Sequence, residues 1–352
     1  MISLLMSSAI SFVIVIFATP LAIRFLRRNN IGQFIQSEVE GHKHKQGVPT
    51  MGGVVIVIGA SIGYFLAHFK IFTVGVGVGL VSQPLSDKAI LGLFALVGMA
   101  AIGFADDFTK FARKRNQGLS KRWKFAGQLI VAALFAWGAA QAGVSTELSF
   151  ARPFGIQLGP VLFFGLVLFM LTATANGVNL TDGADGLVAG SAALVFGSYV
   201  LIAFWQSRNP IFYGNEGALD VAVLAAAVLG ASLAFLWWNA APAKIFMGDT
   251  GSHAIGGAIA ALALLTNTQL LLVIIGGLYV METVSVILQV ISFRGFGKRI
   301  FLMAPIHHHF EMKGWPETTV IVRFWIISGM MVAVGVGLFY ADWVSGTGLA
   351  NP

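Results

Sequence analysis

The sequence predicts an all-α protein that crosses a membrane many times. The chain has 352 residues, of which 57% are hydrophobic and only 11% are charged, and its mean hydropathy is +0.83. A soluble domain carries roughly 25% charged residues, so this composition excludes an ordinary soluble enzyme. Because the polar segments between apolar runs are too short to form a soluble domain, we predict one integral membrane domain over residues 1–352.

Ten apolar runs are predicted to span the membrane, since about 20 apolar residues are needed for each crossing. The first run has no cationic residues before it, which favours a spanning helix over a cleaved signal peptide. The eighth run is short, and only residues 266–269 separate it from the ninth. The ten predicted spans are 4–25, 52–69, 88–105, 125–142, 159–175, 186–205, 217–237, 253–267, 269–291 and 322–341.

The cationic residues predict the orientation of these spans. Eighteen of the 22 lysines and arginines fall in one set of alternate loops, and the other set contains the remaining four, Lys70, Lys88, Arg152 and Arg208. Short loops rich in lysine and arginine stay on the cytoplasmic side. We therefore predict that both termini are periplasmic. The polar residues are concentrated in the inner loops, so an active site is expected on the cytoplasmic face of the membrane.

Two adjacent aspartates, Asp106 and Asp107, end the third apolar run, and seven cationic residues follow between positions 110 and 124. Paired carboxylates at a membrane boundary are costly unless a positive charge compensates them. Lys110 and Arg113 follow within two helical turns, so they could pair with the aspartates locally. The alternative is a site where the aspartates meet a metal ion or a phosphate, and the spacing leaves both interpretations open.

A third inner loop, residues 176–186, contains two acids and two further polar groups within seven positions, with no cationic residue nearby in the sequence. A helix N-cap needs only one such residue, so four of them indicate a bound cation or a polar ligand. They are Asn179, Thr181, Asp182 and Asp185.

The fourth inner loop places Asp249 in a glycine-flanked turn just before the eighth run. Asp249 could cap that helix, or it could bind a hard cation such as Mg2+, which prefers carboxylate and phosphate oxygens. Phe246 lies outside the apolar run and could stack on a nucleotide base.

The fifth inner loop contains three consecutive histidines, His307, His308 and His309. Adjacent residues rarely converge on one metal ion, and the chain has no cysteine to assist. Imidazoles that face a phosphate are therefore the favoured interpretation.

Glu282 lies inside the ninth apolar run, and a carboxylate in such a position is a candidate functional residue. In the first inner loop, Lys45 is either an anion contact or part of an ordinary basic loop.

The five clusters together suit Mg2+-assisted transfer of a phosphoryl-linked group, in which metal and cationic side chains neutralise phosphate charge. The phosphate-binding loop GxxxxGK[ST] is absent, and residues 75–79 (GVGVG) lack the strand–helix context of a dinucleotide fingerprint. A transporter would place its polar groups near the bilayer midplane, often between related halves. This sequence shows no such repeat.

Five ordered motifs resemble those of the polyprenyl-phosphate N-acetylhexosamine-1-phosphate transferase family, and the resemblance covers nearly the whole chain. They are residues 49–53 (PTMGG), 105–107 (ADD), 179–183 (NLTDG), 246–251 (FMGDTG) and 304–311 (APIHHHFE). The first and last resemble the muramoyl-pentapeptide branch more than the N-acetylglucosamine branch. Val48, Gly177 and His253 depart from the usual pattern, but none of them replaces a catalytic group.

The resemblance implies a ten-helix fold in the bacterial inner membrane with a cytoplasmic cleft, usually a homodimer, and no nucleic-acid partner. It implies that undecaprenyl phosphate attacks UDP-N-acetylmuramoyl-pentapeptide with Mg2+, giving lipid I and UMP for peptidoglycan synthesis. Direct attack and a two-step route through a covalent aspartyl intermediate both remain open. Two other functions are also kept: transfer of N-acetylglucosamine-1-phosphate to the same lipid, and transport of a lipid phosphate or nucleotide sugar.

The resemblance also implies roles for residues at matching positions. Asp249 would bind Mg2+, and Asp106 and Asp107 would be catalytic acids. Lys110 would hold phosphate, and His308 would be a further catalytic residue. We expect Asp249 to lie well away from Lys110, and the aspartate pair to handle the lipid phosphate. The implied substrate-binding residues are Lys45, Asn179, Asp182, Asn239, Phe246, His307 and His309.

Overall fold

A computed structural model describes residues 1–29, 31–32, 47–72, 78–82, 84–113 and 117–347. Helices dominate this part of the chain. They are α1 (Ile2–Arg28), α2 (Gly53–Leu66), α3 (Asp87–Arg113), α4 (Lys121–Gln141), α5 (Gly159–Thr181), α6 (Leu187–Arg208), α7 (Pro210–Tyr213), α8 (Ala218–Asn239), α9 (Gly248–Leu265), α10 (Leu272–Ile275), α11 (Gly277–Phe296), α12 (Ile306–Met312) and α13 (Glu317–Gly346).

Within the described residues, two short antiparallel strand pairs accompany the helices. β1 (Phe69–Phe72) pairs with β2 (Val78–Ser82), and β3 (Glu147–Ser149) pairs with β4 (Pro153–Gln157). Both strand pairs fall in loops predicted to be periplasmic. Neither pair is predicted from the sequence, because strands of three to five residues are too short to show a clear alternating pattern.

Eight helices in the described residues are long and apolar enough to cross a membrane: α1, α3, α4, α5, α6, α8, α11 and α13. Each matches one of the ten predicted spans. The other two spans correspond to α2 and α9. With 14 residues, α2 is about 21 Å long, which is shorter than the roughly 30 Å hydrocarbon core of a bilayer.

Helix α9 is the centre of the bundle. Its residues from 250 to 265 are all buried, and it packs between α3, α5 and α2. Small residues permit this close packing: a Cβ on Gly256 would overlap the backbone of Ala175 in α5, and one on Gly257 would overlap Met99 in α3. The eighth apolar run is therefore rich in glycine and alanine because protein surrounds it on all sides.

Polar side chains tie the helices together at the end of the bundle where α3 begins. Asp220 of α8 accepts hydrogen bonds from the Tyr64 hydroxyl (2.9 Å) and from the Ser86 N–H (2.7 Å). One of its oxygens also lies 2.7 Å from Nε2 of His68. One carboxylate thus fastens α8 to the end of α2 and to the segment that precedes α3.

A second polar chain lies at the same end. The buried Lys88 of α3 donates a hydrogen bond to Oδ1 of Asn215 (2.7 Å), and Asn215 donates to Oε1 of Gln206 (2.7 Å). Gln206 in turn donates to the carbonyl oxygen of Thr266, just beyond α9 (2.7 Å). Each donor meets an acceptor, as buried polar groups require.

Candidate active site

Three carboxylates from two helices meet at the opposite end of α3. Asp106 and Asp107 lie near the end of α3, and Asp249 is the second residue of α9. One oxygen of each carboxylate lies within 4.8 Å of the other two. The helices approach this closely because Gly103 has no side chain, and a Cβ there would overlap the backbone of Asp249. Two motifs that are distant in sequence therefore form one cluster.

Asp107 fastens the first turn of α9. Its carboxylate accepts hydrogen bonds from the N–H groups of Asp249 (3.2 Å) and Thr250 (2.9 Å), and from the Thr250 hydroxyl (2.7 Å). The first N–H groups of a helix have no partner inside it, and the N-cap residue Met247 supplies no side-chain bond. A carboxylate is also favoured at the positive end of the helix dipole. Asp107 thus caps α9 and positions Asp249.

Two lysines lie among the three carboxylates. Nζ of Lys110 is 2.7 Å from Asp106, 3.7 Å from Asp107 and 3.2 Å from Asp249. Nζ of Lys124, in the first turn of α4, is 2.7 Å from Asp249 and 3.8 Å from Asp106. The local pairing of Lys110 with Asp106 is confirmed. The expectation that Asp249 lies well away from Lys110 is wrong, because α3 and α9 pack side by side and bring the two residues together.

Lys124 was missed as a site residue. It is one of seven cations between positions 110 and 124, and their spacing does not distinguish it from the others. Ser120 begins α4 as its N-cap, and Lys121 and Arg122 in the same turn are exposed, whereas Lys124 is half-buried. The N-cap serine predicts where the helix begins, but only the packing of α4 on α3 shows which cation turns inward.

The cluster has a formal charge of minus one, since three carboxylates face two ammonium groups. Lys110 and Lys124 both contact Asp249, which favours the ionised form of its carboxyl, and 16% of its side chain is exposed. A partly accessible set of carboxylate oxygens with net negative charge fits a divalent cation of the Mg2+ type.

Asn179 connects this cluster to the loop that follows α5. Its side-chain amide donates hydrogen bonds to Oδ1 of Asp249 (3.0 Å) and to the hydroxyl of Ser252 (2.9 Å). Helix α5 ends at Thr181, and the next residue, Asp182, is half-buried. The structure thus brings Asn179 to the aspartates and leaves Asp182 three residues further along the same segment.

The three histidines lie on the short helix α12 in different surroundings. His307 is fully buried, whereas His308 and His309 are partly exposed. Nδ1 of His307 lies 3.1 Å from Oε1 of Glu282, and Nδ1 of His308 lies 2.7 Å from Oε2 of Glu311. Nδ1 of His309 accepts a hydrogen bond from the Leu302 N–H (3.0 Å). The three imidazoles do not converge on one point through their Nδ1 atoms, as expected for adjacent residues.

Gly183 joins the histidine motif to the motif that contains Asn179. A Cβ at Gly183 would overlap Nε2 of His307 and would lie 3.0 Å from Nε2 of His308. Both imidazoles therefore pack against the loop that carries Asp182. The site is continuous from the aspartate cluster through Asn179 and this loop to the histidines.

Backbone hydrogen bonds hold the fourth motif against the first. The Phe246 N–H donates to the carbonyl oxygen of Pro49 (2.8 Å), and the Gly52 N–H donates to that of Phe246 (2.9 Å). A Cβ at Gly53 would overlap the backbone of Gly251, so both glycines serve this close contact. The Phe246 ring is half-buried beside the start of α9.

Two other predicted substrate-binding residues have different outcomes. Asn239 is 2% exposed, and its amide donates to the carbonyl oxygen of Ile245 (2.9 Å), so this side chain shapes the loop between α8 and α9. Lys45 lies outside the described residues.

The arrangement combines groups suited to phosphoryl-group chemistry. Carboxylates offer cation ligands and proton acceptors, and the partly exposed Lys110 and Lys124 offer positive charge to phosphate oxygens. Such groups stabilise a phosphoryl-transfer transition state mainly by charge and position.

Comparison with protein-family models gave two matches. The model for glycosyl transferase family 4 matches residues 89–267, which is just over half of the chain and includes the three aspartates. A signature described as phospho-N-acetylmuramoyl-pentapeptide-transferase signature 1 matches residues 45–57.

Curated relatives match almost the entire chain. A phospho-N-acetylmuramoyl-pentapeptide-transferase of Frankia alni is 47% identical over 97% of this chain and 98% of its own length. One from Streptomyces griseus is 47% identical over 97% of this chain and 99% of its own length. One from Corynebacterium efficiens is 45% identical over 97% and 98%, respectively.

Proposed function

Because the chain belongs to the family of phospho-N-acetylmuramoyl-pentapeptide transferases, we infer that it transfers the phospho-N-acetylmuramoyl-pentapeptide group from its UDP-linked form to undecaprenyl phosphate. The products are lipid I and UMP, so the protein is an enzyme of cell-wall synthesis. It is also a multi-pass membrane protein. The observation that carries this function at the level of residues is the cluster of Asp106, Asp107 and Asp249 with two lysines, since it combines cation ligands with phosphate-binding charge.

The reaction exchanges one phosphoryl bond for another. An oxygen of the lipid phosphate attacks the phosphorus that bears the sugar, and the bond from this phosphorus to the oxygen of UMP breaks. A phosphate monoester is already anionic near neutral pH, so its attack needs little activation. Lys110 and Lys124 would bind the phosphate oxygens and offset the charge that accumulates between the two anionic substrates.

The two adjacent aspartates are assigned different roles. Asp107 already accepts three hydrogen bonds from the first turn of α9, so it holds Asp249 in place. Asp106 accepts a hydrogen bond from the Leu119 N–H (3.0 Å) and contacts Lys110. With fewer bonds on its oxygens, Asp106 is the better candidate to take a proton from, or orient, the lipid phosphate. The rival is a two-step route in which an aspartate forms a covalent phosphosugar intermediate.

Asp249, with Asp106 and Asp107, would hold the Mg2+ ion. When bound, Mg2+ would neutralise diphosphate charge and stabilise the UMP leaving group. Asn179 supports this arrangement because its amide fixes one oxygen of Asp249.

The remaining residues would bind the donor. Asn179, Asp182 and Phe246 would contact the uridine side, and His307 and His309 would lie beside the diphosphate with His308 as a catalytic partner. Lys45 completes the proposed set, and Asn239 would support it indirectly, by shaping the loop that carries Phe246. The packing of Gly183 against both His307 and His308 supports a single binding surface for uridine and diphosphate.

The proposed topology has ten crossings, counting α2 and α9, in one domain of the bacterial inner membrane. Both termini would be periplasmic and the aspartate cluster cytoplasmic, as supported by the 18 cations in alternate loops. Because the chain has no cysteine, single cysteines introduced near residues 2 and 122 can be labelled selectively in spheroplasts. Labelling of the first alone by an impermeant reagent is expected, and the reverse would overturn the orientation. We also propose a homodimer, which native mass spectrometry would test.

Purified protein in detergent tests the function directly. UMP release is expected with UDP-N-acetylmuramoyl-pentapeptide and undecaprenyl phosphate, and not with UDP-N-acetylglucosamine. Preference for the latter donor would instead favour the N-acetylglucosamine alternative. Substrate movement across vesicles without UMP release would favour a transporter. Labelled phosphosugar bound to the protein without lipid phosphate would exclude the one-step mechanism.

A further inference from the structure

A buried acid in α11 contacts the histidine helix. Glu282 and His307 are each 0% exposed, and Oε1 of Glu282 lies 3.1 Å from Nδ1 of His307. This contact does not meet hydrogen-bond geometry, and within the described residues neither side chain makes a hydrogen bond to any other group. The mechanism above does not use Glu282, and a carboxylate at this depth requires a compensating partner.

The contact determines which way the His307 ring faces. With Nδ1 3.1 Å from Oε1 of Glu282, the opposite nitrogen, Nε2, lies against Gly183, where even a methyl group would not fit. The His308 ring lies against the His307 ring, with 4.0 Å between centroids. A buried carboxylate that holds one imidazole nitrogen fixes the orientation of the other, as it does for histidine ligands of metals.

We propose that Glu282 is a positioning residue for the transfer reaction, acting through His307. It fixes the orientation of the His307 ring. The His307 ring in turn holds the loop at Gly183 and the His308 ring in the position that binds the UDP-linked donor. This inference rests on the proposed assignment of the histidines to the donor diphosphate. It predicts that loss of Glu282 affects the UDP-linked donor and not the lipid substrate.

The test uses the full-length protein in detergent, with kcat and KM measured for each substrate by UMP release. Glu282→Gln is expected to raise the donor KM about tenfold, with the KM for undecaprenyl phosphate within about twofold of wild type. Ser285→Ala is the matched control, since Ser285 is buried on the same helix and donates only to the backbone carbonyl of Glu282 (2.7 Å). This variant should retain both KM values.

A double variant separates positioning from a general effect on packing. If Glu282 acts through His307, then Glu282→Gln with His307→Gln should be no worse than His307→Gln alone. Additive losses, or a Glu282→Gln enzyme within twofold of wild type, would overturn the proposal. Should Glu282→Gln fail to purify as a monodisperse protein, Glu282→Asp carries the same comparison with a smaller expected change. A wild-type protein that releases no UMP would instead refute the proposed function.

Discussion

The two ends of α3 and α9 carry two polar clusters that differ in charge balance. Where α3 begins, the buried Lys88 meets Asn215, and Asp220 meets three separate partners. Where α3 ends, three carboxylates share two partly exposed lysines and retain a net negative charge. Both clusters lie at ends of the same two central helices, and they differ in how completely each one satisfies its own groups.

A polar cluster in which every group has a partner contributes to stability. A cluster with uncompensated charge and accessible oxygen atoms can bind a ligand. The end with Lys88 joins α2, α3, α6, α8 and α9 through side-chain hydrogen bonds. The end with Asp249 instead exposes 31% of Lys110 and 20% of Lys124. Variants at the second end should therefore change catalysis, and variants at the first should change stability.

The largest expected effect is at Asp249. Asp249→Asn keeps the shape but removes the charge that both lysines contact, and kcat should fall by about 10³-fold. The measurement is UMP release against Mg2+ concentration, with thermal unfolding as a check on folding. Activity of the wild type should vanish in excess chelator and return with Mg2+. An Asp249→Ala enzyme with a normal rate and an unchanged Mg2+ dependence would refute the metal assignment.

Lys124 should have the next largest effect. Lys124→Met removes one of the two ammonium groups that contact Asp249, and kcat should fall by about 10²-fold, as for loss of one transition-state charge contact. Lys121→Met is the matched control, because Lys121 lies in the same turn of α4 and is exposed. Equal rates for the two variants would show that Lys124 contributes no more to the reaction than the exposed Lys121 does.

These residues also show what the sequence could and could not predict. Asp106, Asp107 and Asp249 were predicted because carboxylates at the ends of apolar runs are costly and therefore conspicuous. Lys124 was not predicted, since its selection among seven cations depends on how α4 packs. The cap that Asp107 provides for α9 spans 142 residues of sequence and has no local signal.

The same distinction holds for the fold. Eight predicted spans match long apolar helices, because a run of about 20 apolar residues is the signal that hydropathy measures. Helix α9 was a weak prediction because its glycines and alanines serve contact with other helices. The break between α10 and α11 at Gly276 lies within one continuous apolar run and depends on tertiary packing, which hydropathy does not report.

A smaller effect is expected at the first turn of α9, and a threonine at the other end of the helix provides the control. Thr250→Val removes the hydroxyl that donates to Asp107, and the loss of about 1 kcal/mol in the positioning of Asp249 should lower kcat about fivefold. Thr266→Val removes a hydroxyl just beyond the other end of the helix, where it bonds to the Leu262 carbonyl oxygen. Its kcat should be unchanged. A similar kcat for both variants would contradict the assignment of Asp107 as the residue that holds the start of α9.

The smallest expected change in kcat is at Asp220, although its effect on stability should be clear. Asp220→Asn removes the charge that faces His68 and weakens acceptance from Tyr64 and Ser86. The free energy of unfolding should fall by about 1–3 kcal/mol, the usual loss when buried polar groups lose a partner. Thermal unfolding in detergent measures this loss, and UMP release at low temperature should match the wild type. A large fall in kcat with an unchanged unfolding temperature would contradict this expectation. Because such a variant stays folded in the assay, the lower kcat would show that the Asp220 end of the bundle is coupled to the reaction through α3 and α9.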